Sequence, residues 1–130
     1  MEEKHFKILI ADENIQFRNT LASRLRLQGF TVELATGGFH ILHMLERSRD
    51  YSMLIFHEDM HDMPSAEVVM LIRTTKNKTE LPIVFISQDS SEDEICEIIL
   101  NGANEYVVKS SNFQPVVDRA IKYFNLVKNS

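Results

Sequence analysis

Cysteine occurs once among the 130 residues, at Cys96. A single thiol closes no internal bridge, which fits a reducing compartment. Long apolar runs are missing too. The longest near the middle, Val68 to Ile72, falls far short of the ~20 residues that span a bilayer. The first seven residues, Met1 to Lys7, are mostly charged or polar and show no secretory signal. On these grounds neither secretion nor membrane insertion is expected, and a cytoplasmic protein is. Basic clusters are also scarce. Lysine and arginine number 14 against 19 acidic residues, a formal charge of −5. Arg18, Arg24, Arg26, Arg47 and Arg49 are dispersed, and the pair Lys76 and Lys78 is small. Without a basic face the counterion-release term of nucleic-acid binding is lost, so no direct nucleic-acid partner is expected. Repeats, low-complexity tracts and linkers are absent, so residues 1–130 read as one domain. A chain of this size buries roughly two-thirds of its unfolded surface and needs no disulfide or structural metal.

Two kinds of segment alternate along the chain. Short apolar runs of strand length lie at Lys7–Ala11, Thr31–Ala35, Met53–Phe56, Ile83–Ile86 and Tyr106–Val108. Between them the apolar positions recur every three or four residues, as in Phe17, Leu21, Ala22 and Leu25. Phe113, Val116, Val117, Ala120, Ile121 and Phe124 repeat the pattern near the end. Gly29 and Gly102 follow helical stretches, where a left-handed terminating residue is wanted. Ser91 with Glu94 three positions on reads as a capping box. Five strands alternating with five helices predict an α/β fold, a parallel sheet covered on both faces. Right-handed crossovers make a doubly wound sandwich the economical topology. Such sheets work at the carboxyl ends of their strands.

The residues just past those strands are Asp12 and Glu13, then His57, Glu58 and Asp59, then Ser87, and finally Lys109. One rim therefore collects acids, an imidazole, a hydroxyl and an ammonium. Paired carboxylates suit Mg²⁺, and a lysine with a hydroxyl suits phosphoryl oxygens.

Four segments carry a family resemblance: Ile8-Leu9-Ile10-Ala11-Asp12-Glu13, Tyr51-Ser52-Met53-Leu54-Ile55-Phe56-His57, Leu81-Pro82-Ile83-Val84-Phe85-Ile86-Ser87, and Gly102-Ala103-Asn104-Glu105-Tyr106-Val107-Val108-Lys109. Over about residues 6–127 the chain resembles the CheY-like receiver domain of two-component response regulators. The resemblance implies a flavodoxin-like (βα)5 three-layer sandwich with strand order 2-1-3-4-5. It also implies a pocket in which Asp12 and Glu13 hold Mg²⁺, Ser87 senses a phosphoryl group, Lys109 pairs with it and Tyr106 rotates on activation. The family's phosphoacceptor is an aspartate ending the third strand. Here that residue is His57.

An imidazole offers no carboxylate oxygen as nucleophile, and Mg²⁺ prefers oxygen ligands. Other departures lie nearby. His61 replaces a usual proline, with Pro64 displaced downstream, and Asp62 and Ser65 stand where glycines commonly shape the loop. Ser110 follows Lys109 in place of a proline that is often cis; a cis bond there would cost ~3–4 kcal/mol, so trans is predicted. His57 is expected to be held by Asp12 or Glu13 and to gain positive character, substituting for part of the missing cation's charge. Lys109, lacking a phosphoryl group, is expected to bridge to Asp12 or Asp59. His40 and His43, three apart, have no third metal ligand in view and are expected to face solvent. Met60 and Met63 are expected to line a loop or core edge.

The function that follows is a pseudo-receiver, a protein-interaction module in phosphorelay signal transduction that works without aspartyl phosphorylation. It is not an enzyme and needs no cofactor, with the Asp12 and Glu13 metal site vestigial. The resemblance places its partner face on the fourth helix, fifth strand and fifth helix, with Glu92, Asp93, Glu97, Tyr106, Lys122 and Tyr123. The occupant is a signalling protein or a second copy forming a homodimer. Two alternatives keep chemistry: phosphotransfer to a displaced acceptor, Asp59 or His57, and a metal-binding or hydrolytic site built from Asp12, Glu13 and His57. The last residue, Ser130, closely follows the last helix, as expected of a stand-alone receiver or one cut from a larger regulator or hybrid kinase.

Overall fold

Strand side chains alternate faces, so a strand apolar at successive positions must feed two cores at once. That is what the central strands do. The computed structural model describes residues 4–129, so Met1–Glu3 and Ser130, the ends of the expected domain, lie outside it. In chain order the elements are β1 (Lys7–Ala11), α1 (Ile15–Leu27), β2 (Thr31–Ala35), α2 (Gly38–Arg47) and β3 (Met53–His57). Then come α3 (Ser65–Ile72), β4 (Ile83–Ser87), α4 (Glu92–Leu100), β5 (Glu105–Val108) and α5 (Gln114–Lys128). All strands pair in parallel in the order β2-β1-β3-β4-β5. The doubly wound sheet and its strand order are as the sequence implied.

Ile8, Ile10, Met53, Ile55, Val84 and Ile86 pack with α1 and α5 through Leu21, Leu25, Val116 and Val117. Their neighbours Leu9, Leu54, Phe56, Ile83 and Phe85 turn the other way onto Ile41, Val68, Val69 and Ile98 of α2, α3 and α4. Phe56 and Phe85 are fully buried and stack at 6.0 Å. Each large side chain of this kind, buried rather than exposed, stabilises by roughly 1.5–3 kcal/mol.

The helix ends follow the local signals. Gly29 (φ 94) and Gly102 (φ 123) take positive φ just past α1 and α4. The Ser91 and Glu94 side chains form both arms of the capping box that opens α4. Phe113 stands at the N-cap of α5 rather than inside it. Two strands run one residue further than their apolar stretches suggest. His57 pairs with Ile86 and Ser87 with Val108, so both are the last rungs of buried strands rather than loop residues. The ladder goes on under polar side chains because the backbone groups there still need partners. β5 likewise begins one residue earlier, at Glu105.

At the end of the sheet away from the strand C-termini, Arg73 ties three segments together. Its Nε donates to the Gly102 carbonyl at 2.8 Å, and Nη1 donates to the carbonyls of Lys76, Asn77 and Leu81. Nη2 donates to Asn104 Oδ1, which also accepts the Ile83 amide. Burial pushes the guanidinium pKa down. Replacing Arg73→Met keeps much of the stem and removes every donor, leaving several inward carbonyls unpaired. The expected loss is about 3 kcal/mol in urea-induced unfolding, and a loss under about 1 kcal/mol would mean that water replaces the guanidinium without penalty.

Candidate functional site

Ala11 pairs with Phe56, so the next residues along, Asp12 and His57, leave neighbouring strands at one level. Both side chains are buried, at 5% and 6% exposure. The His57 ring Nδ1 accepts the Asp59 backbone N–H at 3.1 Å. An accepting nitrogen carries no proton, so the ring proton sits on Nε2, which is buried and without a partner. Neither Asp12 nor Glu13 holds His57, contrary to expectation. The local turn claims the imidazole first.

Asp12 is occupied by its own loop. Its Oδ1 accepts the Asn14 N–H at 2.8 Å, and Asn14 Oδ1 caps α1 by accepting the Phe17 N–H. Asp12 Oδ2 is buried and unpartnered. Glu13 turns to the loop after β3, where Oε1 accepts the His61 backbone N–H at 3.1 Å and Oε2 bonds the His61 ring at Nδ1. The His61 amide and ring together hold the Glu13 carboxyl below its usual range, and Glu13 raises the His61 pKa. The imidazole that a rim carboxylate holds is therefore at position 61.

The β3–α3 loop is anchored on its other side by Asp62. The α2 N-cap, Gly37, has no side chain to offer, and Asp62 supplies the missing acceptor from across the rim. Its two carboxylate oxygens accept the N–H groups of Gly38 and Phe39, each at 2.9 Å, and these bonds push its pKa down. The approach is close enough that a Cβ on Gly38 would collide with Met63. Ser65 Oγ donates to the Glu58 carbonyl, and Glu58 Oε1 accepts the Gln88 N–H. The positions that depart from the family's glycines and proline thus carry the bonds that shape this loop. The peptide before Ser110 is trans.

Lys109 also departs from expectation. Its Nζ lies over the Phe17 ring, 4.5 Å from the centroid, rather than on Asp12 or Asp59. Phe17 is backed by Phe113 at 5.0 Å, and the Arg24 guanidinium lies over Phe113. Ser87 is buried, while Tyr106 is 44% exposed with its ring tilted on Phe85. Asp59 is exposed. It lines a cavity of about 230 Å³ with His57, Glu58, Gln88, Asp89, Ser90 and Glu94. Four carboxylates line that cavity and no lysine or arginine does, so its field opposes a phosphoryl dianion.

On the face of α4, β5 and α5, Glu92, Asp93 and Glu97 are exposed. Tyr123 is not part of that surface: it is 8% exposed, sits in the core and donates its hydroxyl to Glu105. A tyrosine in a helix reads equally well as surface or core, and here the Glu105 carboxylate satisfies its hydroxyl inside. Lys122 is exposed but paired with Glu105, which also takes Arg119. His43 is exposed, and His40 is half-buried with Nδ1 accepting the Thr36 N–H. Met60 and Met63 lie at the margin of the core, each 8% exposed.

The donor set does not fit Mg²⁺. Both Glu13 oxygens are engaged by His61, one Asp12 oxygen serves its own turn, and the residue from β3 is an imidazole. A hard cation wants several free oxygens at once. Nor do Asp12, Glu13 and His57 converge on a transition metal, since no group of three such ligands gathers among the described residues. The reason is again that Glu13 is directed to His61.

Two outcomes follow. Asp62→Ala is expected to cost about 1 kcal/mol of stability, the scale of a lost helix cap. Because Asp62 has a lowered pKa when folded, its contribution is present above the ordinary aspartate value of 3.8 and disappears as pH falls through the lower folded value. Unfolding curves of the two proteins should therefore converge in acid. Lys109 is expected to show upfield-shifted side-chain methylene protons from the Phe17 ring current, lost in Phe17→Leu. Unshifted resonances in the unmutated chain would show that the lysine lies elsewhere.

Comparison with known proteins adds lineage to this geometry. The chain is 30% identical to the chemotaxis protein CheY of Pseudomonas aeruginosa over 122 residues, covering 93% of this chain and 98% of that one. Among solved structures, the chemotaxis response regulator CheY4 of Vibrio cholerae superposes with a TM-score of 0.82 at 23% identity, over 92% of this chain and 99% of that one. A probable two-component response regulator/GGDEF domain protein gives a TM-score of 0.85 at 19% identity over 95% of this chain, which spans only 50% of that larger one. At such identities the two structures speak for the fold alone. The response regulator receiver domain family itself matches residues 8–121. The chain belongs to that family.

Proposed function

We propose that this receiver domain acts as a protein-interaction module whose signalling does not pass through an aspartyl phosphate. The observation that carries the reading is the end of β3, where an imidazole, tied by Nδ1 to the Asp59 amide, stands where the family places its acceptor carboxylate. The surroundings agree. Glu13 is paired internally, Lys109 rests on Phe17, and the cavity beside His57 gathers acids. A displaced acceptor at Asp59 would face the same unfavourable field. The fold does not need the acceptor, because the cores on both sides of the sheet are apolar and complete without it.

The surface offered to a partner is the face of α4, β5 and α5. The basic groups of α5 nearest β5, Arg119 and Lys122, are consumed by Glu105, so Glu92, Asp93 and Glu97 leave this face acidic. Tyr106 and Val108, at 44% and 64% exposure, supply apolar contact beside them. A partner bearing basic residues around an apolar centre fits that charge. A two-fold homodimer would bring each acidic α4 toward its own copy and fits less well. No helix among the described residues is long and apolar enough to cross a membrane.

The direct test is incubation with acetyl phosphate and Mg²⁺ followed by intact-mass measurement. No adduct is expected on the unmutated chain. A stoichiometric, acid-stable and base-labile phosphate on an aspartate would overturn the proposal, and mass mapping would name the acceptor.

A further inference from the structure

We propose that His61 closes the acidic rim to metal by occupying both oxygens of Glu13, independently of what stands at position 57. The inference deepens the phosphorylation-independent reading and rests on it. Glu13 and His61 come from different loops and meet at two points, backbone amide to Oε1 and ring Nδ1 to Oε2. A carboxylate with both oxygens so engaged cannot also serve a metal without giving up His61. The loop is not free to retreat, because the next residue, Asp62, holds the first amides of α2 at 2.9 Å and Met63 abuts Gly38. Ser65 fixes the far end of the loop to the Glu58 carbonyl. What remains of the acidic pair is Asp12 Oδ2, and one oxygen does not make a hard-cation site.

Lys109, on the same rim, leaves the acids to other partners. Its ammonium sits over the uncharged Phe17 ring rather than on Asp12 or Glu13. His61 is the side chain in contact with Glu13. On this reading, restoring the acceptor alone gives a metal site that His61 still weakens.

The test is calorimetric titration of Mg²⁺ into the whole chain carrying His57→Asp, His57→Asp with His61→Ala, and His57→Asp with His61→Lys, each shown folded by circular dichroism. Removing His61 should tighten Mg²⁺ binding about fivefold, the scale of a solvent-exposed ion pair. The lysine variant, which keeps a donor in the loop able to engage Glu13, should fall back toward His57→Asp alone. Equal affinities with and without His61, an alanine and a lysine variant that bind alike, or no binding by any of them would overturn the proposal. A second measurement leaves position 57 untouched. Mn²⁺ should broaden the Glu13 amide resonance in His61→Ala and not in the unmutated chain, and equal broadening in both would overturn it. Phosphate on the unmutated chain would instead defeat the functional reading, so the two failures are distinguishable.

Discussion

The hydrogen-bond ladder joining β1, β3 and β4 is the constraint on which the rest depends. Every residue of β3 and β4 is buried, and each side chain has one face available to it. Register then fixes position 57 beside Asp12 whatever residue is there. A histidine placed at that point cannot swing into solvent to find a partner. It takes the nearest donor, the Asp59 amide two residues on, and its other nitrogen is left without one. The chemistry of the site is therefore set by strand geometry first and by side-chain identity second.

Around that fixed point the loops have rearranged as a set. Glu13 answers to His61, Asp62 to the open end of α2, Ser65 to the Glu58 carbonyl and Lys109 to Phe17. None of these bonds is strong alone. Exposed ion pairs contribute little, and a cap or a cation over a ring about 1 kcal/mol. Their effect is cumulative and geometric: Glu13 and Lys109 are given partners of their own, while Asp62 and Ser65 hold the loop in place.

The architecture was legible in the sequence because its signals are local and redundant. Ile8-Leu9-Ile10 and Ile83-Val84-Phe85-Ile86 declare buried parallel strands, Gly29 and Gly102 mark helix ends, and Ser91 with Glu94 marks a helix start. The rim was legible as a collection of residues but not as a set of partners. His61 and Asp62 stood out only as departures from a family pattern, and nothing near them names Glu13 or the α2 amides, which join them across the sheet. Tyr123 was misplaced for a related reason: helical period does not reveal a carboxylate waiting inside. Lys109 was assigned an acid because charge is easy to read from a sequence, while the stacked pair Phe17 and Phe113 becomes visible only once α1 and the start of α5 are side by side.

Arg73 gives the molecule a chemical polarity along its strands. All of its partners are amide oxygens, so nothing in that tie gains or loses a proton on acidification. The rim loops at the opposite end are pinned through Glu13 and Asp62, whose acceptor oxygens do take up protons. As acidity rises, the two ends part ways. The loops around His57 loosen while the corner where α3, β4 and β5 meet stays knit, and partial unfolding in acid begins at the carboxyl ends of the strands.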